Sequence, residues 1–124
     1  MTSETPETSK QLIWVGSSKR DLLSLPDGVI DTFGYALHLA QTGLRHEDAM
    51  VLRGFGNAGV LEVIESDRGG TYRAIYTVQF ANAVFVLHVF QKKSKSGIKT
   101  PKADLQLVRE RLRAAGKFAE EMRL

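Results

Sequence analysis

Between Thr71 and Lys102 the chain reads TYRAIYTVQFANAVFVLHVFQKKSKSGIKTPK, and the residue types able to act on a charged substrate are concentrated there. Arg73 is a guanidinium set among aromatic and β-branched residues. Lys92, Lys93, Lys95, Lys99 and Lys102 follow the second apolar run with no acid among them. Like charges at this spacing repel unless an anion gathers them, and the anion that suits such a row is a phosphate backbone. His88 can hold or move a proton, and Tyr76, with Tyr72 on the same strand face, can stack on a base. Each of these residues also has a purely structural reading. Arg73 can pair with Glu62 or Glu65 across a hairpin, and Lys92 and Lys93 can guard a sheet edge. His88 can be a hydrogen-bonded core histidine, and the tyrosines can fill the core. His38 and His46 lie far from this stretch and receive no role.

Other chemistries find no support. Cysteine is absent, which removes disulfides, thiolate nucleophiles and cysteine-based zinc sites, and three scattered histidines make a poor metal set. The glycines Gly54, Gly56 and Gly59 lack the Lys-Ser/Thr of a nucleotide loop, and no serine–histidine–acid spacing appears. No cofactor or metal is expected. A net charge of +3 is only mildly basic, so affinity for nucleic acid must come from a local patch. No apolar run approaches the ~20 residues of a membrane span. The start MTSETPETSK is polar and acidic, unlike a secretory signal, so the expected location is cytoplasmic.

The elements that must position these groups follow from periodicity and punctuation. Residues 1–10 read as a mobile tail, leaving 11–124 as one domain. Gln11 to Val15 is a strand, and Lys19 to Leu23 a short helix after Ser17-Ser18. Ser24 is the expected cap of a longer helix, in which Pro26 and Asp27 occupy the first turn. Val29, Ile30, Phe33, Leu37 and Ala40 recur at helical spacing until Gly43 stops the helix. Met50 to Arg53 is a short extended piece. Val60 to Glu65 and Thr71 to Gln79 form a hairpin across Ser66–Gly70, and Ala83 to Phe90 adds the next strand. Continuous apolar runs of this kind suit inner strands. Pro101 opens a last helix with Leu105, Val108 and Leu112 inward and Arg109, Glu110, Arg111 and Arg113 on the wet side. The result is an α+β fold of order β-α-α-β-β-β-α, an antiparallel sheet packed against helices.

That order, with Leu52-x-Gly54, Val60-Leu61-Glu62, Tyr72-Arg73-x-x-Tyr76, Leu87-His88-x-Phe90-x-Lys92-Lys93 and Lys99-Thr100-Pro101, resembles the RelE/ParE superfamily of toxin–antitoxin toxins. The likeness is greatest to its phage-derived HigB-like branch. The resemblance implies a ribosome-dependent, metal-independent mRNA endoribonuclease, silenced by a cognate helix-turn-helix antitoxin. It implies that Arg73 and Lys92 act at the scissile phosphate; His88, close to Lys92 in the chain, is the candidate proton carrier. Lys93, Lys95, Lys99, Lys102 and Tyr76 are the candidate RNA contacts beside them. Two departures stand out. Many relatives carry an arginine after the Leu-x-Glu pattern, where this chain has Ile64 and Glu65, and Arg68 in the adjacent turn is the candidate substitute. The basic loop is also lengthened by Ser94–Ile98. A ParE-like inhibitor of DNA gyrase and a non-enzymatic basic RNA-binding module are the alternatives.

Overall fold

A computed structural model describes residues 9–92 and 99–124 of the chain. Gln11–Trp14 forms β1, Ser18–Leu23 α1, Asp27–Gln41 α2, Met50–Val51 β2, Val60–Asp67 β3, Gly70–Thr77 β4, Ala83–Lys92 β5 and Lys102–Met122 α3. This is the α+β order read from the sequence, with the short piece at Met50 joining the sheet. The strands lie in the order β1-β5-β4-β3-β2, and β3, β4 and β5 form the antiparallel meander. At one edge the sheet departs from the antiparallel expectation, because β1 runs parallel to β5 from Gln11↔Ala83 to Trp14↔Val86. Nothing local in a four-residue strand encodes the direction of a partner so distant in the chain.

Helices cover both faces. On one, Val29, Phe33, Leu37 and Ala40 of α2 and Leu22 of α1 pack on Leu61, Val63, Tyr72, Ala74, Tyr76, Val84, Val86 and Val89. On the other, Val108, Ala115 and Ala119 of α3 pack on Val60, Ile75, Ala83, Phe85 and Leu87. Burial on both sides is why β4 and β5 read as nearly unbroken apolar runs.

Helix ends differ from expectation in one place. Ser24 does not cap α2; its hydroxyl donates to the Asp21 carbonyl at 2.7 Å and closes α1, and Pro26 precedes α2 instead. Gly43 ends α2 in the left-handed region (φ 83°), where glycine carries no Cβ penalty. Lys10, assigned to the tail, is tied down by Gln41 Nε2 donating to its carbonyl and by its own Nζ donating to Val78.

The decisive irregularity is in β5. Register runs Thr77↔Phe85 and Tyr76↔Val86, then resumes at Ile75↔His88, leaving Leu87 without a partner residue in β4. A bulge of this kind re-aims the side chains beyond it. Arg111 secures it. Placed with the wet residues by sequence, Arg111 is half-buried and donates from Nη1 to the Leu87 carbonyl at 3.0 Å and from Nη2 to Ser17 Oγ at 3.2 Å. It stands three residues after Val108 and four before Ala115, on the flank of α3 that meets the sheet.

Candidate functional site

The β4–β5 register sets Phe90 opposite Arg73, His88 opposite Ile75 and Lys92 opposite Thr71. Beyond the bulge, His88, Phe90 and Lys92 therefore share the α3 face with Arg73. Diagonal neighbours in such a pair stand about 7–8 Å apart, so Arg73 has His88 on one side and Lys92 on the other. The three residues singled out for catalysis are brought to one patch, beneath the start of α3.

Arg73 is nearly enclosed, with 2% of its surface exposed. Its Nη1 donates to Glu62 Oε2 at 3.2 Å and to Thr100 Oγ1 at 3.2 Å. The Thr100 hydroxyl in turn donates to the same Glu62 oxygen at 2.8 Å, closing a triangle. Glu62 comes from β3, two residues from the position directly across from Arg73. The cross-strand pairing with Glu62 is thus present. A buried guanidinium needs such a counter-charge because desolvation of a lone ion costs several kcal/mol.

His88 is buried, and its Nε2 lies 2.7 Å from Asp104 Oδ1, in the first turn of α3. A carboxylate only accepts, so Nε2 carries the hydrogen. The other ring nitrogen, Nδ1, is buried without a hydrogen-bond partner among the described residues. The ring stacks on Phe90 with centroids 4.4 Å apart and planes 15° from parallel. Orientation is thereby fixed from two directions, by Asp104 at one edge and Phe90 on one face.

The remaining candidates divide by place. Lys92 is buried at the end of β5. Arg68 is exposed at the tip of the two-residue β3–β4 turn, at the same end of the sheet. Gly70 beside it is required: its φ is 142°, and a Cβ would come within 2.6 Å of Gln91 Nε2, whose amide donates to Gly69. Lys99 and Lys102 are exposed on either side of Thr100-Pro101. Lys93 and Lys95 lie outside the described residues. Tyr76 is placed otherwise than expected for an RNA contact: it is 1% exposed and belongs to the α2-side core, as does Tyr72. Burial pushes the Tyr76 phenol up to about 12, with Arg45 acting weakly in the opposite direction. Thr100 enters the sequence reading only as part of the Lys99-Thr100-Pro101 motif, without a role of its own, and Asp104 was not singled out. Thr-Pro followed by an acid signals a helix start, and only the fold brings that start onto β3, β4 and β5.

Residues 20–113 match the profile of the family described as phage-derived protein Gp49-like. The chain belongs to that family. No curated protein matches this Gp49-like chain. Among solved structures it is similar to a double arginine-to-alanine mutant of the Escherichia coli toxin RelE in the free state. That likeness has 16% identity and a TM-score of 0.57, covering 83% of this chain and 97% of that one. A crystal structure of isolated E. coli RelE, in its P21 form, gives 17% identity and a TM-score of 0.49, covering 82% and 98%. The toxin–antitoxin complex RelBE2 of Mycobacterium tuberculosis gives 22% identity and a TM-score of 0.44, covering 68% and 99%. The first likeness assigns the RelE fold to this Gp49-like chain, and with the family match it bears out the resemblance carried by the sequence motifs.

Proposed function

We propose that the chain is the toxin of a type II toxin–antitoxin system and a metal-independent endoribonuclease that cuts mRNA on the ribosome. The observation that carries this reading is the gathering of Arg73, His88 and Lys92 on one sheet face, next to exposed Lys99 and Lys102. Its setting is the fold of a protein described as a toxin. The partner that silences it is a small helix-turn-helix antitoxin, and its place of action is the cytoplasm, where the transcript is translated.

In the reaction, the ribose 2′-oxygen bonds to the adjacent phosphorus and the 5′-oxygen of the next nucleotide leaves. One proton departs from the 2′-hydroxyl and one arrives on the 5′-oxygen. Arg73 and Lys92 supply positive charge to the phosphorane that forms between these events, and a preorganised donor of this kind is worth about 2.7–4 kcal/mol. The phosphate takes the place of the Thr100 hydroxyl at Arg73 Nη1, while Glu62 keeps the guanidinium aimed. His88, with Nε2 committed to Asp104, has Nδ1 left for proton transfer. The ribosome supplies the remaining alignment of the strand.

Induced expression of the wild type in a bacterial host, with transcript 5′ ends mapped, tests the proposal. Growth arrest with new codon-phased ends that vanish in Lys92→Ala supports it. Arrest with intact transcripts and a DNA-damage response would move the reading to gyrase inhibition.

A further inference from the structure

Along α3, Lys102, Arg109 and Arg113 are exposed. At ~100° per residue they fall within about 40° of arc, and the row covers about 16 Å of helix. Arg109, Arg113 and Lys117 succeed one another at i, i+4 spacing, where like charges destabilise a helix by a few tenths of a kcal/mol per pair. None of the four joins either of the ion pairs seen among the described residues, which are Arg73–Glu62 and His88–Asp104. The nearby acid Glu110 accepts from Gln106. A neighbouring loop adds to the row. The Arg109 guanidinium sits over the Phe55 ring, 5.3 Å from its centroid, and Gly54 (φ 98°) brings the backbone close to Arg109 Nη2. The exposed side chain of Arg53 is next in sequence. The row starts two residues after Thr100, which is hydrogen-bonded to Arg73.

We propose that Lys102, Arg109 and Arg113, with Arg53 beside them, form a track for the phosphates of single-stranded RNA, leading the strand away from the Arg73 patch along α3. This rests on the reading of RNA as substrate but concerns binding and not cleavage. A row of like charges that weakens its own helix is stabilised when successive phosphates lie along it. A flexible single strand can place phosphates over so narrow an arc, and Phe55 keeps the central guanidinium from folding back.

The test is fluorescence anisotropy of the full chain with a 2′-O-methyl RNA 12-mer, whose methylated 2′-oxygen cannot attack. Affinity is measured from low to moderate salt for wild type, R109Q/R113Q and R109K/R113K. Each lost phosphate contact lowers the salt slope by about 0.7 for a single strand, so R109Q/R113Q should lose about 1.4 and R109K/R113K should lose little. All three should remain folded, by thermal melting. An unchanged slope in R109Q/R113Q overturns the track. So does polyglutamate binding that falls with those substitutions while RNA binding does not, since that assigns the stripe to an acidic protein segment. A wild type that shows the stripe-dependent slope yet cuts no transcript keeps the track and removes the nuclease.

Discussion

Leu87 and His88 are consecutive in β5 and point to the same side of the sheet. Leu87 packs in the α3-side core and His88 meets Asp104 of α3, although neighbouring strand residues ordinarily alternate. Without the extra residue at Leu87, His88 would follow Val84 and Val86 into the apolar α2 side. Arg111 holds the irregularity by donating to the Leu87 carbonyl and to Ser17. Arg111→Ala should cost about 1–2 kcal/mol, from two lost hydrogen bonds. It should also speed amide exchange at Leu87 and His88 more than at Val84. A urea titration with exchange read by NMR checks both, and unaltered protection at the bulge would dismiss the role given to Arg111.

The Glu62–Arg73–Thr100 triangle separates stability from chemistry. Arg73→Ala or Glu62→Ala alone breaks a buried ion pair and should destabilise by about 3–5 kcal/mol. Either single variant can therefore lose activity merely by unfolding. Replacing the whole group, with Glu62→Met, Arg73→Met and Thr100→Val, removes the buried charges together and should recover most of that loss. The triple variant is expected to fold, by calorimetry, and to be unable to arrest growth. Arrest by a stable triple variant would exclude Arg73 from the reaction.

Most of the frame was legible because its signals are local. The α2 stripe from Val29 to Ala40, the glycine stop at Gly43, the hairpin turn within Ser66–Gly70 and the Pro101 helix start each rest on residues within one or two turns. What escaped depends on distant partners. The parallel seat of β1, the inward turn of Arg111 and the meeting of Asp104 with His88 are set by packing between elements far apart in sequence. The Arg73–Glu62 pairing was foreseeable as one of two options, since both acids face the same hairpin. Tyr72 and Tyr76 could not be assigned, because alternation alone does not say which sheet face is core when both are covered.

Asp104→Ala should leave both ring nitrogens of His88 without partners in a buried setting, at a cost of about 1–3 kcal/mol. Asp104→Asn keeps an acceptor for Nε2 and should retain most of the stability while losing the fixed negative charge beside the ring. His88→Gln, close in shape and polar, should melt near the wild type. If His88 moves a proton, cutting should fall at least tenfold in His88→Gln despite the intact fold. General acid–base groups contribute about 10²–10⁴ in rate, so full cutting would make His88 purely structural.

Tyr76 offers a pH signature that belongs to the fold and not to RNA. Its phenol is raised to about 12 by burial, above the ordinary value of 10.0, and its hydroxyl has no hydrogen-bond partner among the described residues. The neutral form is thus favoured in the native state. Below pH 10 both folded and unfolded chains keep the proton, and the contribution is fully present. Between pH 10 and 12 only the unfolded chain releases it, so stability falls as pH rises through this window. Tyr76→Phe should remove that part of the decline in alkaline urea melts. At neutral pH it should cost little or even stabilise, because the hydroxyl it deletes is buried and unsatisfied. It should leave the affinity for 2′-O-methyl RNA unchanged, since the ring lies in the core on the side of the sheet away from Arg73. A large loss of RNA affinity in a well-folded Tyr76→Phe protein would return Tyr76 to the binding surface.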